Sequence, residues 1–192
     1  MNGSPRSEHF DDIYFDVENG LQETKHVFLD GNRLPERWLG RSRFTIAETG
    51  FGTGLNFIAA WQAFERTAAP DQKLQYISFE KYPLNGGQIK EYLSIWNEEI
   101  GVYLSRLLEL YPLRVTGWHS IQVTKQVSLL LIFDDVNRAL PEMSGTVDAW
   151  FLDGHAPAKN ADMWSDVVFS AIGRLSAPDA SCATFTAAGI VK

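Results

Sequence analysis

From Phe44 onward the chain alternates short runs that are apolar throughout with stretches of helical periodicity, and this alternation restricts the fold more than any other feature. The runs are FTIAE, LQYISFE, VSLLLIFDD, VDAWFLD and SCATFTA, with helices expected over Leu55 to Arg66, Gln88 to Tyr111 and Met163 to Leu175. A strand with one wet face must alternate polar and apolar residues, whereas a strand covered by helices on both faces need not. Five such strands linked through helices predict a doubly wound α/β sheet.

Upstream, IYFDV and TKHVFL flank Asn19-Gly20, a dipeptide that tolerates positive φ. Residues Asp12 to Asp30 therefore read as a β-hairpin with a type I′ turn, inside an N-terminal extension over 1–43 that precedes the domain at 44–192. LRVTGWHSIQV reads as a strand pair ahead of VSLLLIF, its pairing left open. Only AAG and IVK follow SCATFT, so the sheet is expected to lack a closing edge.

Composition removes several classes. At 192 residues, the chain is long enough for one core without staples. Its longest apolar runs, such as Leu129 to Phe133, are far shorter than the ~20 residues that cross a bilayer. The polar start MNGSPRSEHF has no signal-peptide core, so a cytoplasmic location without membrane contact is expected. Cys182 is the single cysteine, and His9, His26, His119 and His155 are scattered, so no metal site is expected. Seventeen Lys and Arg against 24 Asp and Glu give a net charge of -7, which argues against nonspecific coating of nucleic acid. The densest basic patch is Arg33, Arg37, Arg41 and Arg43, with Lys25 upstream.

In an open α/β sheet, ligands bind at the carboxyl ends of the strands, which directs attention to the residues after each run. FTIA is followed by Glu48-Thr49-Gly50-Phe51-Gly52-Thr53-Gly54. Glycines there allow close backbone approach and a sharp turn into an electropositive helix N-terminus. No Gly-Lys pair occurs, which excludes a P-loop, and Leu55 stands where a dinucleotide fingerprint wants its third glycine. An acidic residue ahead of the loop suits the ammonium of a methionine moiety, so the spacing E-x-G-x-G-x-G favours S-adenosylmethionine (SAM). The second run ends at Glu80, placed to accept from ribose hydroxyls. The third ends at Asp134-Asp135, placed to accept from an adenine amino group or to cap the following helix. The fourth leaves a buried strand into Asp153-Gly154-His155-Ala156-Pro157-Ala158-Lys159-Asn160, where Asp153 faces whatever lies over the glycine loop and can orient or deprotonate a nucleophile. His155 reads as a loop residue rather than a base, and no G-x-S-x-G elbow is present.

FDDIYF, GLQETKHVFLDGN, LPERW, ETGFGTGLNF, ISFEKYPL, DAWFLDGHAPAKNADMW and ATFTAAG together resemble the methyltransferase domain of the bacterial tRNA modification protein family MnmC. The resemblance implies a Rossmann-like class I methyltransferase fold. It implies transfer of a methyl group from SAM to the aminomethyl nitrogen of 5-aminomethyl-2-thiouridine at the tRNA wobble position. By position it implies a SAM site of Glu48, Gly50, Phe51, Gly52, Gly54, Glu80, Lys81, Asp134 and Asp135, with Asp153 as the catalytic group and Pro157, Lys159 and Asn160 on the substrate side. His155, Asp134, Ala161 and Pro178-Asp179-Ala180 depart from the family's usual Phe, Gly, Pro and Pro-Gly-Gly. The family continues past Lys192 into the last strands of the sheet and a basic segment, and many members add an FAD-dependent oxidase. A C-terminally incomplete domain is therefore expected, with self-association through its exposed edge, a fused or separate oxidase partner, and tRNA contacts left partly to the Arg33 to Arg43 patch. Two other readings stand beside this one: a non-catalytic module binding SAM or tRNA, and an NAD(P)-dependent oxidoreductase on the same fold.

Overall fold

A computed structural model describes residues 4–7, 12–154 and 160–185. Its main sheet contains β3 (Arg43–Glu48), β4 (Lys73–Phe79), β5 (Gly117–Gln122), β6 (Val127–Phe133), β7 (Val147–Phe151) and β8 (Ser176–Ala183) in the order β5-β6-β4-β3-β7-β8. Every neighbouring pair is parallel except β5 with β6. The chain thus moves outward from β3 through β4 to β6, then returns to the other side of β3 with β7. That reversal opens a crevice at the carboxyl ends of β3 and β7.

The apolar character of the runs follows from two separate cores, one on each face. Phe44, Ile46, Tyr76, Leu129, Leu131 and Phe151 point to the face covered by α2 (Leu55–Thr67), α3 (Gly86–Leu93) and α4 (Asn97–Leu110). Ala47, Ile77, Ile132 and Trp150 point to the face covered by α5 (Val136–Glu142) and α6 (Asp166–Leu175). The sheet has six strands rather than five, because 113–127 supplies a single strand, β5, which turns back antiparallel onto β6 and forms an edge. The last strand begins earlier than SCATFTA, directly after α6 at Ser176.

The N-terminal hairpin does not form. Asn19-Gly20 opens a helix, α1 (Gly20–Thr24), that runs on as a π-helical turn over Lys25–Asp30. Asn19 has a φ of -120°, and the Asp16 carboxylate caps this start by accepting from the backbone N–H groups of Glu18 and Asn19. The helical spacing of Leu21, Thr24, Phe28 and Leu29 buries all four on one side, which an alternating strand could not do. Gly20 is small for packing rather than for a turn: a Cβ there would lie 2.9 Å from Phe15 Cβ and 3.1 Å from Trp96. The antiparallel pairing near the N-terminus joins β1 (Arg6–Ser7) to β2 (Asp12–Ile13) instead. Phe15, Leu21, Phe28, Leu34 and Trp38 share one core with the sheet, so this segment is woven into the body of the protein.

The basic patch is divided: Arg33 and Arg43 are exposed, whereas Arg37 and Arg41 are drawn into bonds with the strands. Arg37 donates to the carbonyl oxygens of Asp148 and Asp179 and to Ser181 Oγ, while Arg41 pairs with Asp148 at 3.0 Å and with Asp179. Both guanidinium groups lie beside the Phe44 ring, at 5.6 and 5.7 Å from its centroid. They clamp β8 where its register to β7 shifts between Val147 and Ala149. That irregularity, Pro178 with no N–H to offer, and the charged Asp179 all fall on β8, the strand at this end of the sheet. Arg37, with its side chain only 12% exposed, has the tighter hold. Arg37→Ala removes three hydrogen bonds from a charged donor and should cost about 2 kcal/mol of stability, read as a lower denaturation midpoint.

Candidate active site

The crevice is a cavity of about 810 Å³ whose floor is the loop after β3 and whose walls come from the ends of β4, β6 and β7. The loop is tied to both neighbouring strands: Thr49 N–H donates to Phe151 O and Phe51 N–H to Phe79 O. Two of its glycines have left-handed backbones, Gly52 at φ +52° and Gly54 at φ +81°. Gly54 is forced further, since a Cβ would lie 2.7 Å from the Phe51 ring. Gly50 presses against the β7 loop, where a Cβ would stand 3.0 Å from the carbonyl oxygen of Asp153.

Gly50, Phe51, Gly52, Glu80, Lys81, Asp134, Asp135, Asp153 and Asn160 all line this cavity. Glu48 and Gly54 do not. Glu48 is fully buried behind the wall, its oxygens accepting from Asn56 Nδ2 at 2.8 Å and Ser78 Oγ at 2.7 Å, so it does not face a cofactor ammonium directly. Gly54 shapes the turn into α2. The ring of Phe51 belongs to the core, stacking on Tyr111, with 2% of the residue exposed. His155, Pro157 and Lys159 lie outside the described residues.

The carboxylates divide by environment. Glu80 accepts from Gly52 N–H on Oε2 and from Tyr82 N–H on Oε1, both at 2.8 Å. Burial raises its pKa while those two donors oppose the shift. Asp135 caps α5 through Asn137 N–H and pairs with Lys81 Nζ at 2.7 Å, so the capping and the pocket-facing readings hold together. Burial works against its ionisation, yet Lys81 and Asn137 hold its carboxyl below the usual range. Asp134 is taken up by Arg138 and by the N–H of Asp135.

Asp153 stands at the mouth of β7 with Oδ1 accepting from Gly154 N–H at 2.9 Å and Oδ2 accepting from Asn56 Nδ2 at 2.6 Å. Its carbonyl oxygen accepts from Thr49 Oγ1. Burial pushes its pKa up to about 6 against the pull of the Asn56 and Gly154 donors, and the charge of Glu80 adds to the rise. Glu48 is driven well above the carboxylate range by burial and then by the charge of Asp153. Of the two carboxyls that share Asn56, Glu48 is shifted further toward its neutral form, while Asp153 is raised only to about 6.

Sequence reasoning missed Asn56, Thr24 and Met163. Asn56 had a signal: it is a polar residue near the start of a helix whose next residues, Phe57 to Ala60, are all buried. Thr24 and Met163 had none, because only the fold brings the N-terminal segment and the turn Ala161–Trp164 over the cavity. Ile13 to Asp16, Glu23 and Thr24 form one wall; Met163 packs under Gly154, where a Cβ would lie 2.5 Å from its methyl carbon.

The wall suits a cation. Asp16, Glu23, Glu80, Asp134, Asp135, Asp153 and Asp162 line it against Lys81, the cationic side chain on the wall among the described residues. Among those residues no group of three or more His, Cys, Asp or Glu could hold a metal ion, and no helix is long and apolar enough to cross a membrane.

A family model described as S-adenosyl-L-methionine-dependent methyltransferase matches residues 98–192. Along its whole length the chain is similar to the tRNA 5-methylaminomethyl-2-thiouridine biosynthesis bifunctional proteins MnmC of Marinomonas sp. (strain MWYL1), at 47% identity, and Chromobacterium violaceum, at 46%. It spans 29% and 30% of those relatives' lengths. The crystal structure of MNMC2 from Aquifex aeolicus shares the fold at a TM-score of 0.75 and 22% identity, covering 95% of this chain and 56% of that one.

Proposed function

We propose that the chain is an S-adenosyl-L-methionine-dependent methyltransferase, as its match over residues 98–192 supports, and that it methylates the aminomethyl nitrogen of 5-aminomethyl-2-thiouridine at the wobble position of tRNA in the cytoplasm. The observation that carries this reading is Asp153, a half-buried carboxylate with a pKa of about 6 between the glycine loop and the open side of the cavity. Bound SAM supplies an electrophilic methyl group on a sulfonium cation. The loop Gly50 to Gly52 would meet the cofactor through its backbone, and Glu80, whose oxygens each accept one hydrogen bond, would have lone pairs left for ribose hydroxyls. The Lys81–Asp135 pair and Asp134 would hold the adenine end.

An alkylamine is mostly protonated at neutral pH and must lose that proton before it can attack. Asp153 is the residue to accept it, and while ionised it also steers the amine nitrogen in line with the methyl group. Pro157, Lys159 and Asn160 would meet the nucleoside from the substrate side. Residues 44–192 act as the cofactor-binding unit, and the extension over 1–43 contributes Ile13 to Asp16, Glu23 and Thr24 to the cavity wall. The relatives are named bifunctional. An FAD-dependent oxidase, fused or separate, would release the amine that this site consumes. In the direct test, purified protein is titrated with SAM by calorimetry and then given tRNA bearing 5-aminomethyl-2-thiouridine. Micromolar SAM binding and labelled methyl transfer to that nucleoside are expected; tight NAD binding without SAM binding would sink the proposal.

A further inference from the structure

We propose that Asn56 is the positioning residue of this site: its side-chain amide, anchored by the Thr24 hydroxyl, aims the Asp153 carboxylate and sets how readily it takes up a proton. The inference rests on the role given to Asp153 above and adds a residue from the helix and one from the N-terminal segment.

The geometry leaves the amide a single orientation. Its oxygen accepts from Thr24 Oγ1 at 3.0 Å, and its nitrogen donates one proton to Glu48 Oε1 and the other to Asp153 Oδ2. A half-turn of the amide would set its oxygen against the ionised Asp153 carboxylate, which can only accept, so the network itself assigns the atoms. Asn56 is 6% exposed and Thr24 3%, which shields the bonds to Thr24 and Glu48 from competing water, while the bond to Asp153 is part-buried at the cavity wall. Asn56 is the only other residue that bonds the Asp153 carboxylate among the described residues, since the second oxygen is held by the neighbouring Gly154 N–H. The anchor is distant in sequence and sits in α1, so the N-terminal wall reaches the reacting carboxylate through one amide.

Of the titratable groups around Asp153, Glu48 comes from β3 and Tyr76 and Glu80 from β4, while Asp16, Glu23 and Asp162 line the same cavity. Lys81 is neutralised by Asp135, and Asp134 by Arg138. The Glu80 charge disfavours the Asp153 anion, and the Asn56 donor opposes it. Removing it should therefore make the carboxyl harder to ionise and leave the carboxylate free to turn.

Two variants and two readouts test this. In Asn56→Ala the acid limb of the single-turnover rate against pH should move up by about one unit, with a lower plateau. Thr24→Val, which keeps the amide but removes its anchor, should move the limb in the same direction by less. The Asp153 carboxyl titration, followed by carbon-13 NMR, should shift in step. If Asn56→Ala fails to fold, as judged by loss of SAM binding, Thr24→Val alone decides. An unchanged Asp153 titration in the folded variants overturns the inference, because a merely structural Asn56 would lower stability without moving it. A shifted titration combined with a pH-independent rate would instead refute Asp153 as the proton acceptor and leave Asn56 as its positioning residue.

Discussion

Asp153→Asn should slow methyl transfer in a single turnover by roughly 10²-fold or more, the usual scale for loss of a general base, while SAM affinity changes little. The substitution keeps the shape of the side chain and can still accept from Gly154 N–H through its oxygen. It cannot take a proton, and its NH2 would meet the Asn56 amide nitrogen head-on where Oδ2 now accepts. The pH profile carries the sign. Burial holds the Asp153 pKa up at about 6, so the group is protonated and idle below that value and basic above it. The rate should rise with pH through about 6 in the parent, and this limb should vanish in the variant. A variant with near-parental rate and the same limb would remove Asp153 from the chemistry.

The same shift makes a stability statement. An acid whose folded pKa lies above its ordinary value gives a folded state that binds more protons than the unfolded chain between those two values. Asp153 thus destabilises the fold progressively as pH rises from its ordinary range to about 6, and by a constant amount above. The site keeps a group in a form that packing alone would not select.

Gly52→Val should weaken SAM binding by roughly 10²-fold or more. Gly52 has a φ of +52°, a region in which a β-branched side chain is strained. A Cβ there would lie 3.3 Å from the Tyr14 ring of the N-terminal wall. The N–H of the same residue holds Glu80 Oε2, so a backbone shift that relieves the strain also releases the carboxylate proposed for the ribose. Three parts of the cavity move together, and calorimetry would read the loss directly. Gly54→Val is also strained, but its cost falls on Phe51 and Leu107 in the core, so it should appear as lost stability first.

The strands, their parallel centre and the ends that carry the site were legible because burial on both faces leaves its mark in each run separately. Glu80, Asp135 and Asp153 could be singled out from position alone, since in such a sheet the residue after a strand has little to do but face the crevice. Glu48 was misplaced for a related reason. It is the last residue of β3, not the first of the loop, and the pleat turns it inward to Ser78 and Asn56. The hairpin at Asn19-Gly20 failed because a turn dipeptide is a local signal, and the burial of Leu21, Thr24, Phe28 and Leu29 against the sheet outweighs it.

Periodic and local features can be read along the chain: a doubly wound sheet, a glycine loop, and acidic strand ends. Which distant groups meet depends on how the elements pack. Arg37 and Arg41 look like a basic surface in the chain and become a clamp on β8, because Asp148, Asp179 and Ser181 arrive from more than a hundred residues away. Thr24, Asn56 and Asp153 come from three elements and form one network, since a buried polar atom must find its partner wherever the fold provides one. Periodicity records which face of an element is buried, and it carries no record of what that face is buried against.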